Sequence, residues 1–338
     1  MAQAYAKSQP SGFQNHIKNI AVVGAGGNVG SYIVAALLAN GLHTITALTR
    51  PGSTSVLPPG ITTKHIDYTS QPSLVSALQG QDALIITMAA TAPPDQEAAL
   101  IRAAAEAGVR WVMPNEWGQD SSHPGLRQDL AILTARLEKT RQLIEELGVS
   151  HWLVIPSGFW YEYSLAGSEW QYGFDFAERR VTFYGDGTQK INTSTWPQVG
   201  RAVAALLAFK ILPDDEDDQS EAVLSRFQNQ RCYMSSFRVS QKDMWESAMR
   251  VTGTKESDWT VSYEDVHERF QNGLEKFQKG NMEGFAQLLY VRTFFPDGAG
   301  EYETSKGLHN ELLGLPQEDF DECTKRAIEM AKTSAGTY

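Results

Sequence analysis

An apolar run, Ile20-Ala21-Val22-Val23, leads directly into Gly24-Ala25-Gly26-Gly27-Asn28-Val29-Gly30 and then into a small-residue helical pattern from Ser31 to Leu38. A buried strand, a glycine-rich turn and a helix in that order offer free backbone N–H groups and the positive end of a helix dipole to an anion. The anion that suits this arrangement is the pyrophosphate of a dinucleotide. Gly24 permits the tight turn, Gly27 lets phosphates approach the backbone, and Gly30 lets the helix pack closely on the strand. Gly26, Asn28 and Val29 complete the predicted cradle.

The rest of the first half alternates apolar strand candidates with helical patterns, the signature of an α/β, doubly wound parallel sheet of Rossmann type. Strands are expected at His43–Leu48, Ile61–Ile66, Ala83–Thr87, Arg110–Met113 and His151–Ile155. Helices are expected over Gln71–Leu78, Pro94–Gly108 and Leu130–Leu147, the last two stopped at Gly108 and Gly148. At the end of the second strand an acidic residue favours NAD, whereas an arginine accommodates the 2′-phosphate of NADP. Arg50 stands there, with Ser53 close behind, so the expected cofactor is NADP(H). Ligands of such sheets bind outside the carboxyl ends of the strands. That rule makes Met88, Asn115 and Gly158 further cofactor contacts, and Trp117, Phe159, Trp160 and Tyr161 the substrate-facing aromatics.

At 338 residues the chain exceeds the usual single-domain size. A nucleotide domain over 15–157, with returning segments at about 179–240, is expected beside a smaller, mostly helical, substrate-capping unit made of 158–178 and 241–338. The formal net charge of −11 argues against nucleic acid or an anionic membrane as partner. No run reaches transmembrane length, and Cys232 and Cys323 stand at no disulfide-framework or metal-ligand spacing. These features predict a cytoplasmic protein that takes a small-molecule substrate, with a disordered tail over Met1–Gln14. They leave the oligomeric state open.

The turn Gly24-x-x-Gly27-x-x-Gly30, Arg50, the segment from Ala104 to Val109, the loop Pro114-Asn115-Glu116-Trp117-Gly118 and the helix ending Ile144-Glu145-Glu146-Leu147-Gly148 together resemble NmrA-like atypical short-chain dehydrogenases. The pattern is most similar to isoflavone reductase-like proteins, in particular a fungal branch with Gly-Phe-Trp-Tyr-Glu, here Gly158 to Glu162. The stretches Tyr302–Leu308 and Asn310–Leu315 look like the same branch. The resemblance implies a Rossmann fold, NADP(H), and one of two roles: a reductase of aromatic natural products, or a redox-sensing regulator that performs no chemistry. It also implies a catalytic lysine three residues before the position held by Thr140, and counting back gives Leu137. Lys139 cannot replace it, because two residues along a helix rotate a side chain by about 200°. Leu137 instead continues an apolar face of Leu130, Leu133 and Ile144.

Reduction of a carbonyl leaves an alkoxide that needs a proton, whereas an iminium or cationic azadiene becomes neutral on accepting hydride. The missing lysine therefore points to a cationic nitrogen polycycle, such as an indole alkaloid precursor, whose reduction can be coupled to cyclisation. Glu162 and Asp120 are the candidate carboxylates for stabilising such a cation, with Tyr163 beside them. Two alternatives stand next to this reading: an NADP(H)-sensing regulator, and a reductase of enones or benzylic ethers. Tyr302 and Lys306 form the Tyr-x-x-x-Lys pair of ordinary short-chain dehydrogenases, but 12 tyrosines and 29 Lys+Arg in 338 residues give about one such pair by chance. Further on, Arg179–Phe183 and Ile191–Thr195 read as strands returning towards the sheet, followed by a helix over Gln198–Phe209. Pro213 to Asp218 reads as a solvated acidic loop, and helices are expected at Gln241–Val251, Tyr263–Lys279 and Gln317–Lys332. His123 and His151 read as loop and strand-edge residues.

Overall fold

The computed structural model describes residues 4–89 and 92–334. Its strands are β1 (Asn19–Val23), β2 (Thr44–Thr49), β3 (Thr62–His65), β4 (Ala83–Ile86), β5 (Trp111–Met113), β6 (His151–Val154), β7 (Phe159–Trp160), β8 (Phe174–Asp175), β9 (Arg180–Tyr184), β10 (Ile191–Ser194), β11 (Gln230–Arg231), β12 (Phe237–Val239) and β13 (Thr260–Glu264). Its helices are α1 (Asn28–Asn40), α2 (Gln71–Leu78), α3 (Pro94–Glu106), α4 (Pro124–Asp129), α5 (Ala131–Leu147), α6 (Tyr161–Gly167), α7 (Trp196–Leu207), α8 (Gln241–Thr252), α9 (Val266–Gln278), α10 (Met282–Arg292), α11 (Glu303–Lys306) and α12 (Phe320–Ser334).

The central sheet has seven parallel strands in the order β11-β6-β5-β4-β1-β2-β3. The order reverses between β1 and β4, and the crevice at such a switch point is where an open α/β sheet binds its ligand. β4 is buried over all four residues, and β1 over its last four. Helices cover both faces of strands buried in this way, which is why they read as unbroken apolar runs. On one face α1 and α7 contribute Ile33, Val34, Leu37, Val199, Val203 and Leu206 to the core. On the other, Leu74, Leu100, Ile101 and Ile144 of α2, α3 and α5 pack on Leu84, Val112 and Trp152.

A separate core holds Tyr161, Tyr172, Phe183, Trp245, Phe270, Phe294 and Ile328. Here the structure departs from expectation in several places. The strands at 180–184 and 191–194 do not return to the main sheet: β9 lies in a small sheet β13-β9-β8, and β10 in another, β12-β10-β7. The alternating side chains of β9 bury Val181 and Phe183 in the second core, which holds it there. The smaller unit is thus part sheet as well as helical. The helix expected from Tyr263 starts only at Val266, because Asp265 caps it by accepting the N–H groups of His267 and Glu268, and the preceding residues pair with β9.

The N-terminal segment is not a free tail from Ala4 onward. Ala6 and Lys7 donate their N–H groups to Pro213 O at 2.8 Å and Asp214 O at 3.1 Å, and Lys7 pairs with Glu216. The acidic loop is tied down in turn by Lys210, which bonds Asp214 and Asp218. Met1–Gln3 of the expected tail and 335–338 of the expected smaller unit lie outside the described residues.

Candidate nucleotide and substrate site

Gly24 ends β1 with φ +80, and a Cβ built there would stand 2.0 Å from Thr87 O. One at Gly30 would stand 2.1 Å from Gly24 O. Strand, turn and helix are therefore as close as backbone allows, and only hydrogen fits. Thr87 closes the junction, its hydroxyl donating to Val23 O at 2.8 Å. Gly27 is the N-cap of α1 and supplies no side-chain cap, so the first-turn N–H groups of Asn28, Val29 and Gly30 are left for an anion. Asn28 is exposed, while the Val29 side chain is buried in the core.

A cleft of about 510 Å³ runs from this turn past Gly26 and Gly27 to Arg50, Ser53 and Tyr68, with Thr87 and Met88 on its far wall. Arg50 is exposed immediately after β2, and no carboxylate among the described residues pairs with it. Burial pushes the Tyr68 phenol up, against the opposing charge of Arg50. A glycine cradle a side chain would fill, with an unpaired guanidinium at the other end, fits a dinucleotide bearing an extra phosphate.

Asn115 is turned towards β4. Its Oδ1 accepts from Met88 N at 3.0 Å, its Nδ2 donates to Met88 O at 3.1 Å, and its own N–H donates to Glu97 at 2.8 Å. Burial pushes the Glu97 carboxyl up, with the Asn115 N–H and Arg136 opposing. Trp117 adds an indole bond to Ile86 O at 2.8 Å. These two side chains lock the cleft wall rather than reach across it. Asn115→Ala leaves the Met88 amide without its partners, costing about 1–3 kcal/mol, and nucleotide affinity is expected to fall about tenfold. Calorimetric titration checks this, and unchanged affinity would contradict it.

The two candidate carboxylates both meet arginines. Asp120 is ion-paired with Arg231, whose Nε stands 3.3 Å from its carboxylate, and accepts a hydrogen bond from the Tyr233 hydroxyl at 3.2 Å. Burial, then Asp120, pushes that phenol up to about 12. The same buried network holds Glu116 with Arg141 and Ser121, and both guanidiniums lie over the Trp152 ring at 5.6 and 5.7 Å. Glu162, buried on α6, accepts from Arg326 of α12 at 3.0 Å through Oε1, while its Oε2 has no partner among the described residues. Burial raises its pKa, opposed by its own backbone N–H and by Arg326.

The aromatics divide. Tyr161, expected in the substrate cleft, is fully buried in the second core between Phe237 and Phe320, its hydroxyl 2.6 Å from Thr324. Phe159 is half-buried and stacks on Tyr290 at 4.0 Å. Trp160 and Tyr163 form a three-ring cluster with Trp196, at centroid distances of 5.8 to 6.1 Å. Tyr32 of α1 stacks on Trp196 at 5.9 Å, and the indole N–H groups of Trp160 and Trp196 have no partner among the described residues. Gly158 donates to Gly118 O at 3.2 Å, joining the loop after β5 to the one after β6. Thr87, which lines the cleft, and Tyr32 and Trp196, which complete the ring cluster, carry no signal in the sequence beyond residue type.

Leu137 is half-buried on α5 and Lys139 is exposed. Thr134 and Ile144 are the buried residues of that helix. Lys139→Ala is therefore expected to leave turnover within about threefold; a hundredfold loss in steady-state rate would mean that this lysine reaches the site. Tyr302 is buried and donates to Met234 O at 2.6 Å, while Lys306 is exposed, so the pair is not assembled for catalysis. His123 caps α4 by accepting from Gly125 N at 3.2 Å, and His151 is half-buried in β6. Cys232 and Cys323 are buried free thiols, both pushed up to about 12 by burial. Among the described residues no cluster of His, Cys, Asp and Glu suits a metal, and no helix is long and apolar enough to cross a membrane.

Residues 16–166 match the model of the NmrA-like family. Along 90% of its length the chain is 28% identical to an oxidoreductase of Aspergillus flavus, aprR, of which 96% is covered. Isoflavone reductase superposes with a TM-score of 0.70 at 20% identity, covering 92% of this chain and 99% of that one. A structure titled AtPrR2 with NADP+ and (+)pinoresinol superposes with a TM-score of 0.70 at 18% identity, covering 93% and 99%. At those identities the two structures speak for the fold. The chain is thus similar to the NmrA-like family over residues 16–166 and to a fungal oxidoreductase along most of its length, and it shares the fold of isoflavone reductase.

Proposed function

We propose that the protein is an NADPH-dependent reductase of an aromatic, polycyclic small molecule. The observation that carries this reading is the glycine cradle at α1 combined with an unpaired arginine at the end of β2. The cradle of Gly24, Gly26 and Gly27, with the N–H groups of Asn28, Val29 and Gly30, would hold the diphosphate, and Arg50 with Ser53 the 2′-phosphate. Met88, fixed by Asn115, would border the nicotinamide end. Bound there, NADPH supplies hydride. The oxidoreductase name of the fungal relative and the NADP+ named with a structural neighbour support the reading.

Within it, the substrate is a hydride acceptor that needs no general acid. Leu137 stands where the resemblance implies a lysine, so an alkoxide formed by carbonyl reduction would find no ammonium proton on α5. An iminium or azadiene, as in an indole alkaloid precursor, takes hydride and ends neutral; reduction that exposes a reactive neutral species can then be followed by cyclisation. Trp117, Phe159, Trp160 and Tyr163 are the proposed aromatic walls. Arg326 neutralises Glu162 and Arg231 neutralises Asp120, so neither carboxylate offers a cation a full unpaired charge. Aromatic faces are left as the main cation-stabilising groups. The same leucine favours a second reading, a regulator that binds NADP(H) without turnover.

Incubation with deuterated NADPH and iminium, ketone and quinone-methide substrates separates these readings. Deuterium in the iminium-derived product is expected. Label only in ketone or quinone-methide products would overturn the substrate class, and tight NADPH binding with label in no product would favour the regulator.

A further inference from the structure

A second cavity of about 970 Å³, larger than the nucleotide cleft, opens among α6, α8, α12 and the segment that follows α6. It shares no lining residue with that cleft. Phe174 and Phe176 stack in its wall at 5.6 Å and 16°, and Trp259 stands edge-on to both at 6.5 and 6.1 Å. The Trp259 indole N–H is already satisfied by Thr254 Oγ1 at 3.0 Å, so this wall asks for an apolar, flat surface. Around it, Asp175 is paired with Arg180 and Lys332 with Glu329, each at 2.6 Å. Arg179 and Lys325 line the cavity with no carboxylate partner among the described residues, against one unpaired acid, Glu169. The charges of the lining balance, Arg179, Lys325 and Lys332 against Glu169, Asp175 and Glu329, so it is the want of carboxylate partners at Arg179 and Lys325 that leaves two cations to meet an anion.

We infer that this cavity is a second ligand site, distinct from the nucleotide site, for a flat aromatic anion whose carboxylate or sulfonate meets Lys325 and Arg179. Its volume lies in the range of small-molecule pockets, aromatic walls favour stacked or edge-on rings, and charge-assisted bonds from the two cations set the orientation. The site also spans two elements that the Glu162–Arg326 pair already joins. A ligand there ties α6, which begins directly after Phe159 and Trp160, to α12.

Anilinonaphthalene sulfonate is the probe, titrated by fluorescence and calorimetry against the full chain saturated with NADPH. One-to-one binding, unaffected by NADPH and raising the unfolding temperature, is expected. Ala331→Trp, which fills the cavity, and Lys325→Glu are each expected to weaken it at least about tenfold while leaving NADPH affinity unchanged. Arg179 has φ 49, so Arg179→Gly removes charge at a position glycine tolerates, and it should weaken the probe too. Displacement of the probe by NADPH, or undiminished binding by Ala331→Trp, would overturn the second site. Uncharged phenylnaphthylamine binding as tightly as the sulfonate would overturn the anion preference.

Discussion

Alanine in place of Gly24 is expected to lower NADPH affinity by about 100-fold or more. The added methyl carbon would stand 2.0 Å from Thr87 O and 2.6 Å from Thr87 Oγ1, and the backbone there has φ +80. The strain alone costs about 1–3 kcal/mol. Relief of the overlap requires the turn to move away from the end of β4, which misplaces the N–H groups that receive the diphosphate; displacement by about 1 Å is enough for a loss of this size. Gly41 supplies the control. It ends α1 with φ +67 and has nothing within 4 Å of an added Cβ, so Gly41→Ala carries similar strain with no overlap. It should lower the unfolding temperature while leaving the affinity intact. Calorimetric titration with thermal unfolding separates the two, and equal losses of affinity would show that the turn geometry is not what matters.

The strands of the main sheet were legible because burial on both faces leaves an unbroken apolar signature, as in Ala83–Ile86. The two-residue strand at Gln230–Arg231 carries no such signature, since its place is set by pairing with Leu153 and Val154 rather than by its own composition. The second core was harder still. Val181 and Phe183 alternate as a strand should, but only pairing with Thr260–Glu264 reveals which sheet they join. The glycine turn and Arg50 line one cleft, a juxtaposition the sequence predicts because each end of it follows from a local strand-to-turn pattern. The setting of Glu162 follows from no such pattern: its partner Arg326 is 164 residues away. Asn115 shows the same limit, for a sequence does not tell an amide turned to the Met88 backbone from one turned to a ligand. The sequence pattern puts Tyr161 in the cleft with its neighbours, yet consecutive residues entering a helix point in different directions, and it faces the second core.

The preference for NADPH over NADH tests the central claim most directly. Arg50 follows β2 at the rim of the cleft, exposed and without a carboxylate to neutralise it, with Ser53 one turn further. A guanidinium meeting a phosphate dianion makes paired, charge-assisted bonds, and their loss corresponds to roughly 10 to 1000-fold in affinity. NADH lacks that phosphate and gains nothing from Arg50. Calorimetric titration of the parent and of Arg50→Ala with both nucleotides is the measurement. The account predicts tighter NADPH binding by the parent, a preference that collapses in Arg50→Ala through weaker NADPH binding alone, with NADH affinity unchanged. Equal affinities in the parent, or an undiminished preference in Arg50→Ala, would contradict it.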